Sequence, residues 1–490
     1  MLGWSSAWTL WSTTLFTLVV LLLTFLFKKL TPSKALAHVP GPPPSFFFGN
    51  VKELSEDPLA AICALAERYG GEEGVSRYHY FRQPILLVSS PQWAQHVLSG
   101  DSAASFEKER DPFMAEIVGN GLLVSQGEFW KRQRKIMQPV FSATSMREAF
   151  PAITKTALVA LDRWKDLQSI NVREEMANFA LDVISLAAFS HELNALTDKE
   201  GALSRAITEV LEETEKRVFQ QLPFHKLPFS RGARRFDAAK KVIDDSLLQI
   251  IRTKRQRMML DEKNTDNHAK MDVLDRLLRA VDEDTGERLS DQQLVDEAMS
   301  ILLAGHETTA NASAFAFYLL SKYPEQEAKV MQEIDEVLGE QIPTPQLMGQ
   351  LEYLDLFVKE CMRLYPPAVQ LADRLMAKDD VIGGYHIPKG TLVEIWPWQL
   401  HRDERLWKDP HQFRPERFKE PLAHSHAYLP FSRGRRSCIG QYLAIMETKV
   451  VIAMTLQRYQ LRMVEGHDLK ATLTVTLRAD DVVMHLLPRQ

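Results

Sequence analysis

At 490 residues, 45% of them hydrophobic and 25% charged, the chain is long enough for a large buried core and too apolar to be disordered. A formal net charge of -5 removes the electrostatic case for a nucleic-acid partner. Three scattered cysteines, Cys63, Cys361 and Cys438, form neither a disulfide framework nor a zinc-type CxxC pair, which points to a reducing compartment.

Met1 to Phe27 carries no charged side chain, and from Trp8 onward the run is apolar with scattered Thr and Ser. About 20 helical residues span the ~30 Å hydrocarbon core of a bilayer. Lys28, Lys29 and Lys34 follow at once and no Lys or Arg precedes the run, so the positive-inside rule places the body in the cytosol. Residues 1–29 are therefore read as a single-pass membrane anchor. The rival is a cleaved signal peptide, for which Ala35-Leu36-Ala37 offers a small-residue cleavage site. The missing basic n-region and the long apolar run favour the anchor. Residues 30–50 then form a basic and Pro-rich hinge around Val39-Pro40-Gly41-Pro42-Pro43-Pro44, stiff and extended. A plain spacer is compatible with the same residues.

From Pro58 the pattern is mainly helical. Apolar residues recur at three- and four-residue spacing over Leu59 to Tyr69, Met146 to Trp164, Val172 to Phe189, Leu203 to Phe219 and Phe236 to Leu260. Strand-like pieces are short: Pro84 to Val88, Thr391 to Trp396 and Leu473 to Leu477. Asp261 to Asn267 reads as an exposed loop. The chain shows no internal repeat and no Gly-rich phosphate loop, so a fused flavin or nicotinamide domain is not expected.

Ser290-Asp291-Gln292-Gln293 fits a capping box, and helix-compatible sequence runs from it to Lys322, just before Tyr323-Pro324. That is ~33 residues or ~50 Å, enough to cross a whole domain. Its apolar middle is interrupted by Ala304-Gly305-His306-Glu307-Thr308-Thr309. Burying such polar groups costs free energy unless they are paired or used. Ala304 and Thr308 share one face, where small residues let a flat cofactor approach and the Thr308 hydroxyl can bond back to the Ala304 carbonyl. Glu307 is placed to relay protons; a partly exposed polar patch is the alternative.

Glu360 and Arg363, three apart on a helix, can pair, though such pairs are usually surface features. The segment Phe431-Ser432-Arg433-Gly434-Arg435-Arg436-Ser437-Cys438-Ile439-Gly440 combines two glycines with three arginines around one cysteine, and helix-like sequence follows it. Nearby cations and the N–H groups of a helix start favour a thiolate. A reactive nucleophile or redox sensor would use the same features, but a nucleophile needs a general base and no His lies close in sequence.

This loop resembles the cytochrome P450 haem-binding signature, F-x-x-G-x-R-x-C-x-G, at every fixed position. Gly305 to Thr309 looks like that family's oxygen-activation motif, and Glu360 and Arg363 match its E-x-x-R pair. Arg417, in Phe413-Arg414-Pro415-Glu416-Arg417-Phe418, matches the arginine that completes that cluster, and Trp130 to Arg134 is similar to its W-x-x-x-R motif. The resemblance covers Pro40 to Gln490. It implies a mainly α cytochrome P450 fold over residues 51–490, helix-rich with small β-sheets. A long central helix lies over the haem, and the N-terminal transmembrane helix precedes the domain.

The resemblance also implies roles. Cys438 is the axial ligand of a haem b iron, where a thiolate favours O–O cleavage. Thr308 and Glu307 organise water and proton delivery. Trp130, Arg134, Arg436 and Arg374 bind the haem propionates, while Ala304, Phe431 and Gly440 flank the haem. Glu360, Arg363 and Arg417 are structural. Substrate contacts fall on Phe113, Met114, Ile117, Val118, Ile301, Ala304, Val369, Leu371, Leu473 and Thr474, nearly all apolar, so the substrate is expected to be lipophilic.

The implied reaction inserts one oxygen atom of O2 into that substrate. A fatty acid or related lipid is favoured, because Ala304 to Thr309 resembles the segment of several fatty-acid hydroxylases. Alternatives are a steroid, terpenoid or xenobiotic, or a reductase-independent haem-thiolate isomerase or dehydratase, which retention of Glu307 and Thr308 argues against. A non-enzymatic haem sensor or membrane-bound interaction protein is the third class. Electrons would come from NADPH through a separate NADPH–cytochrome P450 reductase, with cytochrome b5 as a second donor. Lys131, Arg132, Lys135, Arg433 and Arg435 are expected to form its basic docking patch, with a solvated charged face as the alternative. With the anchor, the resemblance implies the endoplasmic reticulum membrane and a cytosolic catalytic domain.

Overall fold

The structure, a computed structural model, describes residues 32–198, 201–218, 231–261 and 271–489. The chain forms two compact units, one of residues up to 107 with 370–400 and one of residues 108–369 with 401–490. As expected, helices dominate and the sheets are small.

In the first unit, a five-stranded sheet places Val75–Tyr80, Gln83–Val88, Leu392–Ile395, Arg374–Met376 and Phe106–Lys108 side by side in that order. Two strands expected from sequence, at residues 84–88 and 391–396, are its centre, and they pair in parallel with Ile85 opposite Leu392. Burial on both faces explains why Ile85 to Val88 is an unbroken apolar run rather than an alternating one. The Pro-rich segment lies along the first strand. The Arg77 N–H donates to the Pro40 carbonyl at 2.8 Å and its guanidinium to the Pro42 carbonyl at 3.1 Å. Only glycine fits between them, since a Cβ on Gly41 would lie 2.1 Å from the Arg77 carbonyl oxygen.

The second unit is built around the central helix Asp291–Lys322. Its start is the expected capping box: the Ser290 hydroxyl accepts the Gln293 N–H at 3.2 Å, and the Gln293 side chain accepts the Ser290 N–H at 2.8 Å. Val172–Phe189, Arg231–Asp261, Glu352–Leu364 and Gln441–Leu456 pack against it. Their apolar faces explain its burial at Leu294, Val295 and Ala298 to Leu302, and again from Thr309 to Leu320.

Two elements differ from expectation. The helix expected from Met146 to Trp164 is two pieces, Ala143–Arg147 and Phe150–Trp164. Pro151 lacks an N–H and is tolerated only in a first turn, so a new helix starts there. Leu473 to Leu477 is not a strand but the turn between strands Lys470–Leu473 and Leu477–Asp480. Both the N–H and the hydroxyl of Thr474 donate to the Thr476 carbonyl and close that turn.

The membrane anchor expected over residues 1–29 lies outside the described residues, as does most of the loop expected after Asp261. Among the described residues no helix is long and apolar enough to cross a membrane. The single-pass placement in the endoplasmic reticulum membrane is withdrawn on that finding.

Removing the Ser290 cap should be felt by the whole second unit. Ser290→Ala is expected to cost about 1 kcal/mol, measured as a lowered denaturation midpoint with an unchanged denaturant slope.

Candidate active site

Cys438 ends a tight loop that its own backbone closes. The Cys438 N–H donates to the Phe431 carbonyl at 2.9 Å and the Ser437 N–H to the Gly434 carbonyl at 3.0 Å. Ser432 and Gly434 both hold positive φ, 58° and 74°, which explains one of the two glycines. Gly440 has an ordinary φ of -88°, so turn geometry does not explain it. A Cβ there would meet nothing within 4 Å, so the loop faces open space.

Cys438 itself keeps an exposed surface, yet protein surrounds it closely enough that burial pushes its thiol up. A recess accounts for both. The Gly440 N–H, the Arg134 guanidinium and the Gln441 N–H oppose the rise. The helix Gln441–Leu456 starts at that point, as the expected thiolate environment requires.

The helix Gly127–Met137 is brought against this loop. Arg134 Nη1 donates to the Ser437 carbonyl at 2.9 Å, and Arg436 Nη1 to the Ser125 carbonyl at 2.9 Å. The Arg436 guanidinium lies 3.7 Å from the centroid of the buried Trp130 ring. Trp130, Arg134, Phe431, Arg436, Cys438 and Gly440 thus form one cluster. Arg374 belongs to the other unit, where it is buried on its strand and donates to the Ala372 carbonyl.

On the central helix the buried run breaks at one place. Ala304 is exposed, and Gly305, Glu307 and Thr308 are half-buried. The Thr308 hydroxyl donates back to the Ala304 carbonyl at 2.7 Å, as its four-residue spacing predicts. Glu307 Oε1 accepts the Thr476 hydroxyl at 2.8 Å, and Thr476 in turn accepts Asn311 Nδ2 at 3.0 Å. Burial raises the Glu307 carboxyl above its ordinary range, against the Thr476 hydrogen bond. His306 points away from this group: its Nε2 bonds the Ala177 carbonyl at 3.0 Å, and burial pushes the imidazole down to about 4.

Comparison with known proteins decides what this arrangement is. A family model described as Cytochrome P450 matches residues 39–487. The chain belongs to the cytochrome P450 family. A bifunctional cytochrome P450/NADPH–P450 reductase of Bacillus cereus is 30% identical over 93% of the chain, which spans 43% of that longer protein. Cytochrome P450 4B1 of Homo sapiens is 30% identical, with 90% of this chain and 88% of that protein aligned. The crystal structure of the cytochrome P450DA heme domain shares the fold with a TM-score of 0.83 at 26% identity, covering 92% of this chain and 98% of that one.

The protein is therefore a cytochrome P450 monooxygenase, with haem b as cofactor, a reductase as electron source and a small molecule as substrate. Its own residues fit a haem: an accessible cysteine in a recess, open space at Gly440, and an exposed alanine interrupting a buried helix. The cytochrome P450 E-x-x-R pair is fully buried rather than superficial. Arg363 Nε and Nη2 grip Glu360 at 2.7 and 2.8 Å, and Arg417 Nε reaches the same carboxylate at 2.9 Å.

Three residues escaped sequence reasoning. His401 accepts the Leu429 N–H through Nε2 at 2.9 Å and bonds the Arg363 carbonyl through Nδ1 at 3.1 Å. Thr476 and Asn311 bracket Glu307. No local motif marks any of them, because each acts on a residue far away in sequence.

The residues expected to touch substrate divide. Phe113, Met114, Leu473 and Thr474 are half-buried, while Ile117, Val118, Ile301 and Val369 are buried. The Phe113 ring sits 5.7 Å from the buried Arg217 guanidinium. The Leu477 N–H donates to the Pro367 carbonyl at 2.9 Å, joining the hairpin turn to the segment that carries Val369. Leu371 is buried in the other unit. The expected basic patch is largely neutralised: Lys131 pairs with Glu128, Arg132 with Asp282 and Glu287, and Lys135 with Glu283 and Asp284.

His306 and His401 are held down to about 4 and about 3, in each case chiefly by burial. A depressed folded value means that the unfolded chain takes up protons first as pH falls. The stability contributed by these two neutral imidazoles is therefore expected to be full above pH ~6.5, the unfolded histidine value. It should fall progressively from there toward pH ~4, by on the order of 3 kcal/mol per histidine. Thermal unfolding across that range checks this; His401→Gln should flatten the slope, and an unchanged slope would count against a buried neutral imidazole.

Proposed function

We propose that the enzyme hydroxylates a fatty acid or a related lipid chain, with Cys438 as axial ligand and Thr308 and Glu307 delivering protons. The observation that carries the reading is the break in the central helix, where exposed Ala304 lies between buried stretches and Thr308 turns back onto its carbonyl. A small side chain there lets a flat cofactor and a substrate share one space.

Bound haem supplies the dioxygen chemistry, to which a thiolate ligand contributes electron density that favours O–O cleavage. Trp130, Arg134 and Arg436 would hold its propionates, where charge-assisted hydrogen bonds are strongest. Phe431, Gly440 and Ala304 are proposed as contacts flanking the haem. The Thr308 hydrogen is engaged by the Ala304 carbonyl, so its oxygen acts as an acceptor that orients a water. Glu307, whose carboxyl burial raises above its ordinary range, suits a general acid better than an exposed carboxylate would.

The candidate contacts favour a lipophilic substrate: Phe113, Met114, Ile117, Val118, Ile301, Val369 and Leu473 are apolar, and Thr474 supplies a hydroxyl. Among lipophiles, the likeness of Ala304 to Thr309 to fatty-acid hydroxylases supports a lipid chain. The electron donor is proposed to be a separate NADPH–P450 reductase, with cytochrome b5 as a second donor. The Bacillus cereus relative, which by its name combines both activities, supports the first. Because Lys131, Arg132 and Lys135 are already paired, docking would exchange their partners and change the encounter rate more than the affinity.

Titration of the purified holoenzyme with saturated fatty acids should produce a high-spin shift in the haem absorbance, followed by hydroxylated product with NADPH and reductase. A shift with steroids, terpenoids or xenobiotics and none with any fatty acid would replace the lipid reading.

A further inference from the structure

Glu307 is not left to choose its own geometry. Asn311 lies four residues further along the central helix, on the same face. Thr476 comes from the hairpin turn and bridges the two. Asn311 is 2% exposed and Thr476 7%, so bulk water does not compete for these bonds.

The direction of the bonds follows from the donor inventory. Asn311 Nδ2 can only donate, at 3.0 Å, so the Thr476 oxygen accepts there and its single hydrogen goes to Glu307 Oε1, at 2.8 Å. An oxygen that accepts this hydrogen is the poorer place for the carboxyl proton. Oε2, which accepts no hydrogen bond among the described residues and is not one of the fully buried partnerless atoms, is the better one. The turn that carries Thr476 is itself fixed, by Thr474 bonding the Thr476 carbonyl and by the Leu477 N–H on Pro367.

We propose that Thr476, clamped by Asn311, is a positioning residue that donates to Glu307 Oε1 and thereby keeps the transferable proton of the acid on Oε2. This rests on Glu307 being the proton source in the reading above. The step moves one proton: Oε2–H gives it up toward the reaction space, and bulk water returns one to the same oxygen. No electron or other group is transferred.

The charged groups that face Glu307 come from three other elements. Glu215 lies on the helix Ala202–Val218, Arg478 on the strand Leu477–Asp480, and Arg173 on the helix Val172–Phe189. They are bound to one another: Arg478 pairs with Glu215 and, at 3.2 Å, with Asp480, which pairs with Arg173 at 3.0 Å. Two cations and two carboxylates oppose each other there. Thr476 is the direct contact.

The test uses the full-length holoenzyme and follows the Glu307 carboxyl by infrared titration, its band located by difference against E307Q. NADPH-driven product formation with dodecanoate across pH is the second readout, and haem absorbance checks folding. A hydrogen bond donated to a carboxylate favours its ionised form, so T476V should raise the apparent carboxyl titration by about one pH unit. The pH profile of product per NADPH should move the same way. N311L should shift both in the same direction, and T476S, which keeps the hydroxyl, should return them toward wild type. If T476V does not fold, N311L carries the same expectation.

Unshifted titration in T476V and N311L, with intact haem absorbance, overturns the proposal. The two readings fail differently. Wild-type coupling in E307Q would remove Glu307 as proton source, whereas impaired E307Q beside unaffected T476V would remove only the role of Thr476.

Discussion

Glu360 is the point on which the cysteine side of the structure hangs. Without any exposure to solvent, its carboxylate accepts from Arg363 Nε and Nη2, from Arg417 Nε and from the Arg414 N–H. Two guanidiniums against one carboxylate leave positive charge in a dry place. Backbone carbonyls absorb it: those of His401, Pro410 and Gln412 for Arg363, and those of Lys408, Asp409 and Gln412 for Arg417. Leaving such a charge unpaired costs about 3–5 kcal/mol, so the arrangement is all or nothing. His401 carries the constraint onward. Burial first, and the charges of Arg402 and Arg363 after it, keep the ring neutral, so one nitrogen donates to Arg363 and the other accepts from Leu429. The Leu429 carbonyl accepts Ser432, and the Phe431 carbonyl accepts Cys438. The sulfur is thus placed by a continuous line of hydrogen bonds that begins at a buried ion cluster.

The central helix solves the opposite problem. The cysteine side needs rigidity around one atom, and the helix must interrupt its own packing to leave a working space. Ala304 provides the gap, Thr308 satisfies its hydroxyl within the helix, and Glu307 is bracketed by Thr476 and Asn311. Thr308 and Glu307, polar groups that would be costly in an apolar helix, are thus partnered, whereas Glu297 Oε1 and Ser300 Oγ, earlier on the same helix, have no hydrogen-bond partner among the described residues. His306 Nδ1 likewise has no partner among the described residues, and burial favours its neutral ring.

What could be read from sequence was what is local. The capping box at Ser290, the limits of Val172–Phe189, the buried run at Ile85 and the loop ending at Gly440 all depend on neighbours within a few residues. Long-range consequences could not be read. The Glu360–Arg363 pair has the spacing of a surface decoration, and only its partners, 38 to 57 residues away, make it a core element. Thr476 sits in a stretch whose alternation suggests a strand, yet Thr474 closes it into a turn that aims the hydroxyl at Glu307. Arg132 and Lys135 look like free cations until the carboxylates at Asp282 to Glu287 are folded against them, while Lys131 pairs locally with Glu128. The Met146–Trp164 helix failed for a local reason, a proline whose preference for a first turn outweighs continuous apolar spacing.

The account depends most on the sulfur of Cys438 being bonded to iron. The most direct measurement is the absorbance of the reduced, carbon-monoxide-bound protein with Cys438→Ser beside wild type. The wild-type protein should show the red-shifted Soret band of a thiolate-ligated haem, and the serine variant should lose it. A serine variant that retained both that band and NADPH-driven turnover would contradict the account.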